Sequence, residues 1–167
     1  MLVRGHIARL DAAARLILRE PDRAEDAVQD ALVRAWRDLP TLRDPDRFDA
    51  WLHRLLVHSC MDEARRSQRH RTSIAWSAAH EPVAIDTSGS ILDRDQLDRG
   101  FRRLSPEDRA LIVLHHYLDL PLPEVAAIAG VPLGTAKSRL HRALERMRAS
   151  LDADARTLSD VAQGRPA

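Results

Sequence analysis

The sequence predicts an all-α protein made of two small helical domains joined by a flexible linker. Apolar residues recur at helical spacing in both halves of the chain, and no stretch alternates apolar and polar residues as a strand does. Between the halves, the stretch SIAWSAAHEPVAIDTSGS lacks periodicity and gathers Ser, Pro, Gly and acidic residues, which is typical of a linker. The 167 residues, of which 44% are hydrophobic, are enough for two small cores.

The first half is predicted to contain a weaker helix over residues 3–19 and two amphipathic helices. One amphipathic helix runs from Asp22 to Leu39, and the other runs from about Asp49 to Ser67. Their expected buried sides are Ala27, Val28, Ala31, Leu32, Ala35, Trp36 and Leu39 in the first, and Trp51, Leu52, Leu55, Leu56, Ser59 and Cys60 in the second.

The second half is predicted to contain three helices that follow Ile91. Ser105 and Pro106, followed by acidic residues, form a strong helix start. A short helix over residues 123–129, a Gly130-Val131-Pro132 break and a helix from Thr135 to about Leu151 then have the spacing of a helix-turn-helix.

These patterns divide the chain into four parts. The first domain covers residues 1–72, the linker 73–98, the second domain 99–152 and a disordered tail 153–167. Residues 73–99 carry five acids against two Arg, which makes the linker acidic. In contrast, residues 133–150 carry one Lys and four Arg against one acid.

The cysteine content and the start of the chain indicate the cellular compartment of the protein. Cys60 is the single cysteine, so no internal disulfide can form. The opening MLVRGHIARLDAAARL has no apolar run long enough for a signal peptide or a membrane span. We therefore expect a cytoplasmic protein without a membrane partner.

The second helix of the predicted helix-turn-helix carries a basic and hydroxyl-bearing face. In such motifs this helix lies in the major groove, where its first turns meet base edges and phosphates. Thr135 is expected to cap the helix and to offer an amide or its hydroxyl to a phosphate. The alternative is an ordinary solvated basic face. The candidate DNA-binding residues are Thr135, Lys137, Ser138, Arg139, His141 and Arg142.

Three stretches read in order resemble one family. They are AEDAVQDALVRAWRDL, RFDAWLHRLLVHSCMDEARRSQRHR and, after the linker, LSPEDRALIVLHHYLDLPLPEVAAIAGVPLGTAKSRLHRA. Together they resemble the extracytoplasmic-function sigma factors of bacterial RNA polymerase, over about residues 19–72 and 97–150. The resemblance implies a promoter-specificity subunit whose partners are core RNA polymerase and promoter DNA. It also implies a first domain that is short at its N-terminus, and possible inhibition by an anti-sigma factor.

The resemblance assigns roles to residues of the first domain. The helix from Ala24 to Leu39 would dock on the clamp helices of the largest polymerase subunit. The alternative is an ordinary solvent-exposed face of a surface helix, which would have the same sequence pattern. Its exposed candidates are Glu25, Gln29, Asp30, Arg34 and Arg37. The following helix would meet and help open the promoter element nearest the start site. Its candidates are Trp51, His58, Arg65, Arg66, Arg69 and Arg71, of which Trp51 fits a core position better.

The length of the linker constrains how the two domains act. Its 26 residues would span about 28 Å as a relaxed coil and about 90 Å when stretched. Two promoter elements two helical turns apart are separated by about 70 Å. We therefore expect loosely tethered domains that only a large third body, core polymerase, can align on DNA.

Two other classes of function are weighed against this interpretation. An enzyme or metal protein could use His53, His58 and Cys60, or His115 and His116, but neither set has the spacing of HExxH or paired CxxC motifs. We therefore expect no catalysis, no cofactor and no metal. A helix-turn-helix regulator that binds an operator without polymerase is the second alternative, and it leaves residues 24–71 unexplained.

Overall fold

The computed structural model describes residues 2–73 and 91–162, with side chains described over 6–69 and 97–153. Within these ranges the protein is helical and has no strand, which confirms the predicted all-α class. Most of the predicted linker lies outside the described residues. The helices are α1 (Leu2–Leu18), α2 (Pro21–Asp38), α3 (Phe48–Ser73), α4 (Ile91–Arg102), α5 (Pro106–Ile112), α6 (Leu122–Ala129) and α7 (Leu133–Ala162).

The first unit consists of α1, α2 and α3, in which α2 packs against both of its neighbours. Small side chains fill the contacts between α1 and α2. Because alanines occupy them, the helix axes can approach closely. The fully buried alanines are Ala13, Ala14, Ala24 and Ala31, and α3 adds Leu52, Leu56, Val57 and Cys60.

The buried side of α2 differs from the prediction at its C-terminal end. Ala27, Val28, Ala31 and Ala35 are buried as expected, but Trp36 is 82% exposed and Leu39 is 48% exposed. The prediction was therefore wrong for both. Each residue turns the helix by about 100°, so the position after buried Ala35 already faces away from the core. Trp51, in contrast, is partly buried against the core, and its ring centroid lies 5.9 Å from that of Phe48.

The second unit consists of α4 to α7. The Ser105 hydroxyl accepts a hydrogen bond from the Asp108 amide at 3.2 Å, which confirms the predicted N-cap of α5. A π-helical turn, Val113–Tyr117, continues α5. The α4 helix begins at Ile91 as predicted, and so it starts inside the range assigned to the linker.

The helix-turn-helix is present, with two differences at α7. This helix begins at Leu133, so Thr135 lies in its first turn and the predicted capping role is wrong. It also continues to Ala162, so the expected end near Leu151 is wrong and the described part of the assigned tail is helical. Between α6 and α7, Gly130 adopts φ 67°, and the Val131 amide donates to the Ala126 carbonyl at 3.0 Å. This left-handed turn closes the end of α6.

The two units pack against each other, which contradicts the expectation of loosely tethered domains. Helix α1 contacts α5 and its π-helical turn, while α3 contacts α5 and α6. Buried residues of both units form one continuous hydrophobic cluster. A small unit leaves an apolar face on its surface, and mutual burial removes these faces from water. Arg65, Arg66 and Arg69 of α3, and Lys137 and Arg142 of α7, remain exposed.

We predict that Gly130→Ala destabilises the fold by about 1 kcal/mol, because an L side chain is strained at this positive φ. No neighbour lies within 4 Å of the added methyl group, so the effect comes from the backbone alone. Gly134→Ala is the matched control, since the added group there also meets open space and φ is ordinary. Urea unfolding should show a loss for Gly130→Ala only. Equal stability of the two variants would contradict the assigned turn.

Candidate nucleic-acid interface

The first turns of α7 present a polar surface opposite a buried one. Ala136, Leu140, Ala143 and Met147 are buried against the rest of the unit. The opposite side of the helix is exposed, and we call it the recognition face. It consists of Thr135, Lys137, Ser138, His141 and Arg142.

Contacts along the helix orient the side chains of the recognition face. The Ser138 hydroxyl donates to the Thr135 carbonyl at 3.1 Å, and Arg142 Nε donates to the Ser138 carbonyl at 3.2 Å. An arginine has five N–H donors, so this bond leaves the two terminal nitrogens of Arg142 available for an acceptor. His141 Nε2 lies 3.1 Å from Glu145 Oε1.

Arg139, a predicted DNA-binding residue, lies apart from the recognition face. It is partly buried, and its Nη2 lies 3.2 Å from Asp108 Oδ1. Through its other oxygen, Asp108 also pairs with Arg146, which lies on α7 like Arg139. One buried carboxylate of α5 therefore binds two arginines of α7 and fixes the orientation of the recognition helix. Sequence reasoning missed this role, because a helix-capping pattern already accounted for the acids after Ser105.

The outer side of α3 carries the candidates for the second DNA contact. His58, Arg65, Arg66 and Arg69 are exposed, whereas the Arg71 side chain lies outside the described residues. Arg65 and Arg66 lie 3.5 and 3.4 Å from Asp62 and Glu63 of the same helix. Partial burial and then the Arg54 charge lower the pKa of His58, which keeps its ring neutral at pH 7.

The residues predicted for docking on polymerase fall into two groups. Asp30 and Arg34 bind α3, because Asp30 accepts a hydrogen bond from buried Ser59 at 2.8 Å and Arg34 lies 3.0 Å from Asp62. The hydrogen bond to Asp62 is the main cause that raises the pKa of Arg34. These two residues therefore hold α2 against α3.

The other predicted docking residues are exposed. Glu25 accepts a hydrogen bond from Gln29 at 3.3 Å, and Arg37 pairs with neighbouring Asp38. Val33, 62% exposed, and Trp36 share this side of α2, since spacings of 4, 8 and 11 residues from Glu25 fall on one helical face. We call Glu25, Gln29, Val33 and Trp36 the α2 face. Sequence reasoning missed Val33 and placed Trp36 in the core.

The residues considered for metal binding or catalysis do not form a metal site in the part of the chain that the structure describes. Among the described residues, no three His, Cys, Asp or Glu side chains come together in a way that could hold a metal ion. His115 Nδ1 lies 2.8 Å from the Leu120 carbonyl and closes the loop after the π-helical turn. Burial raises the pKa of the Cys60 thiol to about 12, which makes it unreactive. None of the described helices is long and apolar enough to span a membrane.

Comparisons with known proteins decide the family. Residues 2–70 match the family described as Sigma-70 region 2, and residues 94–147 match Sigma-70, region 4. The ECF RNA polymerase sigma factor SigM of Mycobacterium tuberculosis is 34% identical over 146 residues, which cover 87% of this chain and 73% of SigM. The chain belongs to the extracytoplasmic-function (ECF) sigma factors.

Further relatives of this sigma factor agree with that assignment. The RNA polymerase sigma-E factor of Streptomyces coelicolor is 33% identical over 87% of this chain and 83% of its own length. Among solved structures, the sigma factor RpoE in complex with the anti-sigma factor NepR from Bartonella quintana is 27% identical, with a TM-score of 0.76 over 89% of this chain and 93% of that one. CnrH in complex with the cytosolic domain of CnrY has a TM-score of 0.65 and 30% identity, over 92% of this chain and 86% of that one.

The family match settles the function of this sigma factor at the level of its class. It is a promoter-specificity subunit that binds core RNA polymerase and promoter DNA and directs transcription initiation. Its family consists of initiation factors without enzymatic activity. A plain operator-binding regulator is excluded, because residues 2–70 match region 2 as well.

We predict that Asp108→Asn destabilises the protein by about 2 to 3 kcal/mol, because two arginines lose their shared buried counter-charge. Glu107→Gln removes an exposed charge one residue away and should change the free energy of unfolding by less than about 0.5 kcal/mol. Chemical denaturation monitored by circular dichroism measures both. If the two variants unfold alike, Asp108 does not orient α7.

Proposed function

We propose that the recognition face of α7 reads the promoter element distal to the start site, and that the basic side of α3 contacts the proximal element. The observation that carries this proposal is the sorting of the α7 side chains. Lys137, Ser138, His141 and Arg142 face solvent, while Arg139 and Arg146 are held by Asp108. The residues left outside supply the donors that base edges and phosphates accept in a major groove.

The residues of the recognition face have different proposed tasks. Arg142 and Lys137 are the candidates for guanine or phosphate, since both carry charged donors. Thr135, in the first turn of α7, lies near the free amides of the helix start, where a DNA phosphate is favoured. His141 Nε2 contacts the Glu145 carboxylate, so binding of His141 to a phosphate would compete with that contact.

The proximal contact is proposed for His58 together with Arg65, Arg66 and Arg69 of α3. Neutral His58 can both donate and accept a hydrogen bond, which suits contact with an exposed base. The arginines supply a positive surface for the backbone of an opened strand. Trp51 remains packed beside Phe48, so we assign it a supporting role under this surface.

The contact with core polymerase is proposed for the α2 face. Trp36 is its largest exposed apolar residue, and it lies on the same helical face as the polar Glu25 and Gln29. Tryptophan is among the residues that most often dominate the binding energy of a protein interface. Arg37 lies next to this face, while Asp30 and Arg34 of the same helix bind α3 and hold α2 in place.

We also propose a mode of regulation and a cellular compartment for this sigma factor. Both solved relatives were captured with proteins bound, RpoE with an anti-sigma factor and CnrH with part of CnrY. An anti-sigma factor that covers the α2 face would prevent docking on polymerase. Because RNA polymerase acts in the bacterial cytoplasm, we place this protein there. No catalytic step of its own is proposed.

We predict that Arg142→Ala weakens binding of the holoenzyme to its promoter by about 1 to 3 kcal/mol, with reduced discrimination at one base pair of the distal element. Arg43→Ala removes an exposed positive charge from the loop before α3 and serves as the control. Filter binding with single-base promoter variants measures both. Uniform weakening across all sequences would instead identify Arg142 as a phosphate contact.

We predict that Trp36→Ala lowers the affinity for core polymerase by about 2 kcal/mol, roughly 30-fold, because the interface loses its aromatic anchor. The fold should keep its stability, since the indole is exposed. Ile7→Ala, at an exposed apolar position of α1, is the control. Titration of labelled core enzyme measures the dissociation constants. Equal affinities of Trp36→Ala and the wild type would refute the proposed docking surface.

A further inference from the structure

The contact between the two units contains a buried ion pair. Arg19, at the end of α1, is 5% exposed, and Asp98, in α4, is 4% exposed. Arg19 Nη1 lies 2.7 Å from Asp98 Oδ1 and donates a hydrogen bond to the Asp98 carbonyl at 3.0 Å. One guanidinium of the first unit therefore binds both the side chain and the backbone of a single residue in the second.

The backbone of Arg19 has an unusual conformation. Its φ is +63°, a value that side-chain-bearing residues rarely adopt and that glycine usually supplies after a helix. The Arg19 amide donates to the Arg15 carbonyl at 2.8 Å, so the residue ends α1 in a left-handed turn. Such strain persists only when surrounding contacts compensate for it. The contacts of Arg19 with Asp98 can provide this compensation.

Asp98 is charged in this position because two arginines surround it. Burial by itself raises the pKa of Asp98, but hydrogen bonds from Arg19 and Arg102 outweigh that effect, and the net pKa is below the ordinary value. Arg102, on the same helix, lies 2.7 Å from Asp98 Oδ2 and is itself partly exposed. Of these two arginines, Arg19 is the one that comes from the first unit.

The closed arrangement is too small for the promoter geometry. A compact chain of this length has a radius of gyration of about 15 Å and measures about 40 Å across. Promoter elements two helical turns apart are separated by about 70 Å. The two units must therefore separate before α3 and α7 can occupy both elements, and separation exposes Arg19 and Asp98 to water.

We propose that Arg19 and Asp98 form a latch that holds the free sigma factor closed and lowers its apparent affinity for core polymerase. The inhibitory part rests on the proposed function, because it requires that polymerase binds the open form. When only a fraction of the molecules is open, the apparent dissociation constant rises by the inverse of that fraction. The latch thus sets how much core enzyme is needed for initiation.

The test uses the full chain and breaks the latch from either side, with Arg19→Ala and Asp98→Asn. Arg102→Ala is the matched control, since it removes the ion pair of Asp98 within α4 and keeps the ion pair between Asp98 and Arg19. Small-angle X-ray scattering of the free proteins reports opening, and titration with core polymerase reports affinity. Circular dichroism verifies that each variant keeps its helices.

Both latch variants are expected to increase the radius of gyration and to lower the apparent dissociation constant at least tenfold, with Arg102→Ala close to the wild type. An unchanged radius in both helical variants would overturn the latch. A larger radius with unchanged affinity would overturn its inhibitory role. If the wild type fails to bind polymerase, the proposed function fails, and the scattering comparison still decides whether the latch exists.

Discussion

The arrangement of the molecule depends on the contact between its two units, in which Arg19 and Asp98 form a buried ion pair. A charge that is removed from water is tolerated only with a partner, and here each partner comes from a different unit. Both units also contribute to one continuous hydrophobic cluster. The free chain is therefore one body, although its two halves match two separate sigma regions.

Some arginines of this protein pair with a carboxylate of another helix. Asp108 holds Arg139 and Arg146, and Asp62 holds Arg34, so these arginines position helices. In the proposed function, the exposed basic side chains of α3 and of the recognition face contact DNA, and on α3 Arg65 and Arg66 also pair with acids of their own helix. The small formal charge of +1 conceals these exposed basic side chains, because internal pairs neutralise much of the basic content.

Sequence patterns predicted the helices and the helix-turn-helix well, because capping residues and apolar periodicity are local properties. They failed where a distant residue decides the outcome. Arg139 could not be separated from Lys137 without knowledge that Asp108 lies beside it. Trp36 was assigned to the buried side of α2 because it continues the helical spacing of the apolar residues, but it is exposed in the structure. The contact between the units depends on residues 79 positions apart, and no local pattern encodes it.

We propose that this chain is closed when free and reads a promoter only after polymerase has separated its units. Fluorescence energy transfer between dyes at two exposed positions, Arg43 and Arg148 substituted by cysteine, tests this most directly, since buried Cys60 stays unlabelled. We expect high transfer in the free protein and a large decrease when core polymerase and promoter DNA are added. Transfer that stays high in an active initiation complex would contradict it.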